Sequence, residues 1–177
     1  VENEPFLPFG ICPSLDVDLL DREIALVREN DPSRPIIITD SGELSLWVRA
    51  GKRADIFGTT MYRTIYKKGL GYFDYPIGPR FFHFKHWLNQ NLAGQDKTIV
   101  IELQAEPWVS GWTTERPLEE QFKSMNKEQL LSNVSFAKKV GFPEIYLWGV
   151  EWWYWLKVEK NHPELWDTAR ELFQKNN

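Results

Sequence analysis

Glu102, Gln104, Glu106 and Trp108 follow directly on the run Thr98-Ile99-Val100-Ile101. A carboxylate, an amide, a second carboxylate and an indole thus come within one short span at the end of a β-branched apolar stretch. Such a run, apolar on both faces, reads as a central parallel strand. A buried strand that stops in charged and aromatic residues is placing them at the mouth of something. A further acid, Glu4, stands in Asn3-Glu4-Pro5 at the start of the chain. Two carboxylates on one face suit glycosidic bond cleavage, in which one protonates the leaving oxygen and the other attacks or activates water. Phosphoryl or metal chemistry calls for clusters of His, Asp or Lys, and none is evident. His83 and His86 have i, i+3 spacing among Phe81, Phe82 and Phe84, and read as packing and capping residues. Cys12 is the one cysteine, which excludes an intrachain disulfide and a cysteine-based zinc site. No metal and no cofactor are expected.

Other acids compete for these roles. Glu106 shares parity with Glu102 and is the alternative nucleophile, although Pro107 puts it past the strand. Glu2 shares parity with Glu4 but lies earlier, where it points into the interior or into a salt bridge. Glu43 is either a third site carboxylate or the first-turn acid of a helix, the latter preferred, and Glu151 has the same ambiguity.

The elements that must position these groups follow from apolar periodicity. Ser14 is a fair N-cap for a helix to about Glu29, with Val17, Leu20, Ile24 and Val27 stepping by three and four. Pro35 to Thr39 is a strand ending in Asp40-Ser41-Gly42-Glu43, and a helix from about Leu44 to Ala50 closes at Gly51. Asp55 to Met61 is a strand reaching Tyr62-Arg63. Thr64 to about Pro79 is a long connection of the kind that is usually functional. A helix from about Arg80 to Ala93 carries Phe84, Leu88 and Leu92, and ends at Gly94. After the strand at Thr98, Val109 to Met125 is another long loop. Asn126 with Gln129 resembles a capping box, and opens a helix with Leu130, Val134 and Ala137 on one side. Pro143 to Val150 is the last strand, followed by Glu151-Trp152-Trp153-Tyr154-Trp155. The three tryptophans there cannot all face one way: one or two line the mouth and the rest pack under the final helix. That helix starts at Pro163 and turns Leu165, Ala169 and Leu172 inward.

The 177 residues suffice for one domain with a real core. A net charge of −4 gives no reason to expect nucleic acid, and no apolar run approaches the roughly 20 residues of a membrane span. Aromatic residues reach 15%, with nine tryptophans, more than a core alone requires. Flat apolar rings with a polar handle suit sugars as well as cores.

Strand and helix alternate throughout, the pattern of a parallel sheet with crossover helices. No Gly-x-Gly-x-x-Gly follows any strand and no P-loop is present, so nucleotide-binding folds lack support. The other parallel architecture is the (β/α)8 barrel, whose functional residues sit at the C-terminal strand ends.

With these residues in place, the chain resembles the clan A glycoside hydrolases, the cellulase and β-galactosidase-like barrels. Asn3-Glu4-Pro5 looks like their Asn-Glu-Pro signature at the end of the fourth strand. Tyr62 then ends the sixth strand, Glu102 the seventh and Trp148 the eighth, in register with the family. Ile101-Glu102-Leu103-Gln104 through Trp112 also looks like the Glu-x-Gln nucleophile region. The resemblance implies a retaining mechanism on a β-linked carbohydrate, with Glu4 as general acid/base and Glu102 as nucleophile. It implies that Asn3 holds a sugar hydroxyl, that Tyr62 hydrogen-bonds the nucleophile, and that Gln104, Trp108 and Trp148 belong to the sugar site. Glu4 must then stay protonated at working pH, with Phe6 and Phe9 as local apolar neighbours. Strands one to three have no counterpart. The expectation is therefore a partial (β/α)8 barrel, the C-terminal portion of one catalytic domain, prone to self-association through its open edges. The reading from a different class is a non-catalytic carbohydrate-binding or scaffold barrel.

Overall fold

The computed structural model describes residues 1–8 and 15–175, with side chains to residue 174. Its centre is a four-stranded parallel sheet with helices, an α/β fold. The strands are β1 (Ile37–Asp40), β2 (Ile56–Met61), β5 (Thr98–Gln104) and β6 (Ile145–Trp148), in the order β1-β2-β5-β6. The register of β1 on β2 sets Thr39 opposite Gly58 and Asp40 opposite Thr59. β1, β2 and β5 are largely buried, so their backbone pairing and β-branched side chains act together, whereas β6 alternates half-buried and exposed residues.

The chain forms two compact units. The first comprises Val1–Met61, Ile77–Glu102 and Lys139–Tyr146. Its helices are α1 (Val17–Asn30), the short α2 (Val48–Gly51) and α3 (Pro79–Ala93). Asp16 caps α1 by accepting the Leu19 amide. Ser14, the expected cap, lies outside the described residues, as do Phe9 and Cys12. Leu20 and Ile24 are buried as the spacing requires, whereas Val27 is exposed. Trp47 is the centre of this unit's core, packing on Phe57, Phe82 and Phe142. It adopts φ 69°, a left-handed backbone. That conformation cannot continue a helix, which explains why α2 begins only at Val48 and not at Leu44. Glu43 accordingly sits in a turn, not in a helical first turn.

The buried face of α3 also differs from expectation. Phe84 and Leu92 are exposed, and Phe82, Lys85 and Asn89 face inward. Those three positions share a helical face as well as the expected triplet does. The polar members won because Lys85 finds carbonyl partners, described below. Asn89 is fully buried, with no hydrogen-bond partner for either amide atom among the described residues, and packed so tightly on Gly51 that a Cβ there would fall 2.0 Å from Asn89 Oδ1.

The second unit comprises Tyr62–Pro76, Leu103–Lys138 and Leu147–Asn177. The long connection after β2 is a hairpin of β3 (Thr64–Lys67) and β4 (Gly71–Asp74), antiparallel, with Tyr66 against Tyr72. The loop after β5 holds a 3-10 turn at Thr113–Glu115 and the short α4 (Leu118–Gln121). Asn126 caps α5 (Lys127–Val140) through the Gln129 amide, but the Gln129 side chain donates to Lys123 O, so only half of the capping box forms. Leu130, Val134 and Ala137 are buried. Val150 opens α6 (Val150–Glu159) instead of closing the strand, and α7 (Glu164–Lys175) buries Leu165 and Ala169. Within α6, Trp152 and Trp153 are buried and donate to Gln121 Oε1 and Ala105 O. Gly149 precedes them at φ 146°, where a Cβ would fall 2.7 Å from the Ala105 backbone; only glycine allows that approach. Among the described residues no helix is long and apolar enough to cross a membrane.

Candidate active site

The first unit gathers three carboxylates, those of Glu4, Asp40 and Glu102. The segment carrying Glu4 is a bend leading into a turn, not the strand end expected of Asn3-Glu4. It runs beside β1 all the same: the Val1 terminus donates to Ile37 O and the Glu4 amide to Thr39 Oγ1 at 2.7 Å. Thr39 Oγ1 in turn donates to Asn3 Oδ1 at 2.8 Å. One side-chain hydroxyl, that of Thr39, thus stands in for ladder bonds here, where Glu4 lies at φ 46° and Leu7 N–H closes the turn on Glu4 O. A left-handed non-glycine residue is strained, and such strain collects at functional sites.

Glu4 Oε1 accepts a hydrogen bond from Thr60 Oγ1 at 3.0 Å. Burial pushes the Glu4 carboxyl above the usual carboxylate range. The Thr60 hydrogen bond opposes this, and the charges of Glu102 and Asp40 add to it. Glu102 is itself only 8% exposed on β5. The two glutamates singled out from the sequence are therefore electrostatic neighbours. Phe6, expected to lie against Glu4, carries the Arg49 guanidinium over its ring at 4.4 Å.

Asp40 ends β1 and is 2% exposed. Burial raises its carboxyl, while the Ser45 hydroxyl, the Ser41 amide, Lys85 and Arg49 pull the other way. Lys85 reaches the same turn from α3. Its Nζ donates to Ser41 O at 3.4 Å and to Gly42 O, and it lies over the rings of Trp47 and Phe81. Thr39, Asp40, Thr60 and Lys85 were not singled out by sequence reasoning. Lys85 carried a signal, a charge in register with Phe82 amid the aromatic residues of α3.

In the second unit, Gln104 is fully buried. Its Oε1 accepts the Arg63 and Thr64 amides at 2.8 and 2.9 Å, and its Nε2 donates to Thr64 O at 2.7 Å. Main chain thus engages the whole amide, which fixes the backbone just after Tyr62. Tyr62 and Trp108 meet edge to face, 5.2 Å apart. Trp148 is 48% exposed and its Nε1 donates to Glu106 Oε1 at 3.1 Å. Glu106 lies beyond the end of β5.

His83 and His86 of the first unit are engaged elsewhere. His83 Nε2 meets Val140 O at 2.9 Å and His86 Nδ1 meets Thr98 Oγ1 at 3.0 Å, beside an open cavity of about 470 Å³.

A scan against protein-family models finds no match for this chain, and a search of curated proteins finds no significant relative.

Proposed function

We propose that this chain belongs to a retaining glycoside hydrolase of clan A type, built on a (β/α)8 barrel, that cleaves a β-linked carbohydrate. Glu102 is the nucleophile and Glu4 the general acid/base. The observation that carries the reading is the state of Glu4. It is a strained residue whose carboxyl is held toward its protonated form by burial and by the neighbouring charges of Glu102 and Asp40. A general acid needs that proton, and a paired nucleophile needs to remain ionised. In the first step Glu102 attacks the anomeric carbon while Glu4 passes its proton to the leaving oxygen. Water, deprotonated by Glu4, then releases the sugar from Glu102. Asn3, held by Thr39, is offered to a sugar hydroxyl. The rings of Tyr62, Trp108 and Trp148 are proposed as sugar-contacting groups, with Gln104 supporting the backbone beside Tyr62.

The experiment is hydrolysis of an aryl β-glycoside panel by the intact protein, with product stereochemistry followed by proton NMR. Retention of configuration is expected. Glu102→Gln is expected to lower turnover by orders of magnitude while leaving sugar binding largely intact. Added azide should rescue Glu102→Gly, with inverted product, but not Glu102→Gln, whose amide still fills the site. Survival of activity in Glu102→Gln with its loss in Glu106→Gln would transfer the nucleophile role to Glu106.

Trp112, 76% exposed, and Trp148 favour one second reading, a barrel that binds carbohydrate without turnover. Sugar binding with no hydrolysis across the panel is its signature.

A further inference from the structure

A threonine hydroxyl has a single proton to give, so the bonds it accepts decide where that proton must go. Thr39, on β1, is buried. Its Oγ1 accepts the Glu4 amide at 2.7 Å and donates to Asn3 Oδ1 at 2.8 Å. The Glu4 amide can only donate, so the proton of the hydroxyl is left for Asn3. The orientation of the Asn3 amide follows. An Nδ2 turned toward Thr39 would take the acceptor away from a hydroxyl with little access to water. Asn3 Oδ1 is therefore engaged, while its Nδ2, on an exposed residue, has no partner among the described residues. The methyl group of Thr39 sets which way the hydroxyl points. Thr39 lies opposite Gly58 of β2, where a Cβ on the glycine would fall 3.1 Å from Thr39 Cγ2 and 2.9 Å from Ile101 Cγ2. A β-branched side chain has few χ1 settings, and with its methyl over Gly58 the hydroxyl is committed to Asn3 and Glu4. Glu4 is thus held by its amide on Thr39, by its carbonyl on the Leu7 amide at 2.9 Å and by its carboxyl on Thr60. A left-handed backbone at a non-glycine residue persists only where the surroundings over-determine it.

We propose that Thr39 is a positioning residue whose hydroxyl has two tasks: it locks the main chain of Glu4, and it turns the Asn3 amide so that N–H donors, not the carbonyl, face the ligand. The inference rests on the reading of Glu4 as general acid and of Asn3 as a sugar contact. Thr39 acts through those two residues and not on the substrate. The role also narrows the chemistry of the ligand group that Asn3 meets, which must be an accepting oxygen. A sugar hydroxyl serves in that way and keeps its own proton for another partner.

The test compares Thr39→Val, which removes the hydroxyl at nearly constant shape, with Thr39→Ser, which keeps it, in the intact protein. Amide hydrogen exchange followed by NMR reads the first task without turnover. The Glu4 amide should exchange about fivefold faster in Thr39→Val, the loss of one hydrogen bond, and close to the wild-type rate in Thr39→Ser. An unchanged rate in Thr39→Val overturns the proposal. So does equal acceleration in Thr39→Ser, which would put the effect in the methyl packing. Should Thr39→Val fail to fold, Thr39→Ala against Thr39→Ser makes the same comparison. Turnover of an aryl β-glycoside reads the consequence. Thr39→Val should lower kcat by up to about 100-fold with KM little changed, and Thr39→Ser should restore it. A loss confined to KM overturns the positioning role. Asn3→Asp keeps the acceptors and removes the donors, so it should lose as much kcat as Asn3→Ala. Wild-type kcat in Asn3→Asp overturns the assignment of donors to the ligand side. A protein that hydrolyses no glycoside sinks the functional reading, and the exchange rates still decide whether Thr39 holds Glu4.

Discussion

Thr60 joins Glu4 to the turn after β1 through one hydroxyl, which donates to Glu4 Oε1 at 3.0 Å and accepts the Gly42 amide at 3.1 Å. That hydroxyl is the influence that opposes the upward shift of Glu4.

Thr60→Val should therefore raise the Glu4 carboxyl further. In the proposed mechanism, loss of the Glu4 proton sets the basic limb of the pH–rate profile, so this limb should move to higher pH. Stability gives a second check. A carboxyl raised in the folded state binds its proton more tightly there than in the unfolded chain. The native state is then favoured by acid and carries a penalty once pH exceeds the folded value. Glu4→Gln should be more stable than wild type at pH 7, and that advantage should vanish as pH falls to 4.5 and below. Urea unfolding at a series of pH values checks it. A pH-independent difference would mean that Glu4 contributes by contact and not by charge.

Gln104→Leu should destabilise by about 3 kcal/mol, because the Arg63 and Thr64 amides and the Thr64 carbonyl all lose a buried partner. Denaturant midpoints read this directly. A change under about 1 kcal/mol would show that the loop finds other partners.

Trp148 and Trp153 offer a controlled pair. Trp148 is half exposed, while Trp153 is 2% exposed and bonded to Ala105 O. Trp153→Ala should cost about 3–5 kcal/mol. Trp148→Ala should leave the melting temperature nearly unchanged and weaken sugar affinity, by about 0.5–1.5 kcal/mol for a stacking face. A collapse of the fold in Trp148→Ala would make that ring structural.

Lys85 should leave a signature in alkaline stability. Its folded value is about 8 against 10.5 in the unfolded chain, so between these the unfolded state holds the extra proton and stability rises with pH. Below pH 8 both states are charged and the native state carries the full penalty, on the order of 3 kcal/mol. Wild type should thus gain on Lys85→Met as pH climbs from 8 to 10.5. Parallel curves for the two proteins would show that Lys85 is not held in an unfavourable setting.

Element type was largely legible because burial imposes a period: Leu130, Val134 and Ala137 announced the inner face of α5, and the β-branched run at Ile99 announced β5. Leu20 and Ile24 did the same for α1. Two things were not legible. One was backbone handedness at a single residue, since nothing in the types of Glu4 or Trp47 demands a positive φ; tertiary contacts impose it. The other was partnership across distance. Phe84 and Phe82 are equal candidates for the inner face of α3 until the Ser41 and Gly42 carbonyls choose Lys85, and with it Phe82. The candidate carboxylates Glu4 and Glu102 were visible from residue type and position. Asp40, Thr60 and Lys85 were not, because their part depends on groups far away in sequence.

Asn89 gives the chain an unused margin for engineering. Both amide atoms are buried with no hydrogen-bond partner among the described residues, so their burial costs wild type a desolvation that no such bond offsets. Replacing them by an apolar side chain of similar shape removes that cost without breaking an existing bond. Variants at this position, screened together with the crowding glycine Gly51, are a route to a hardier scaffold in which otherwise destabilising substitutions near Glu4 and Glu102 could be tolerated.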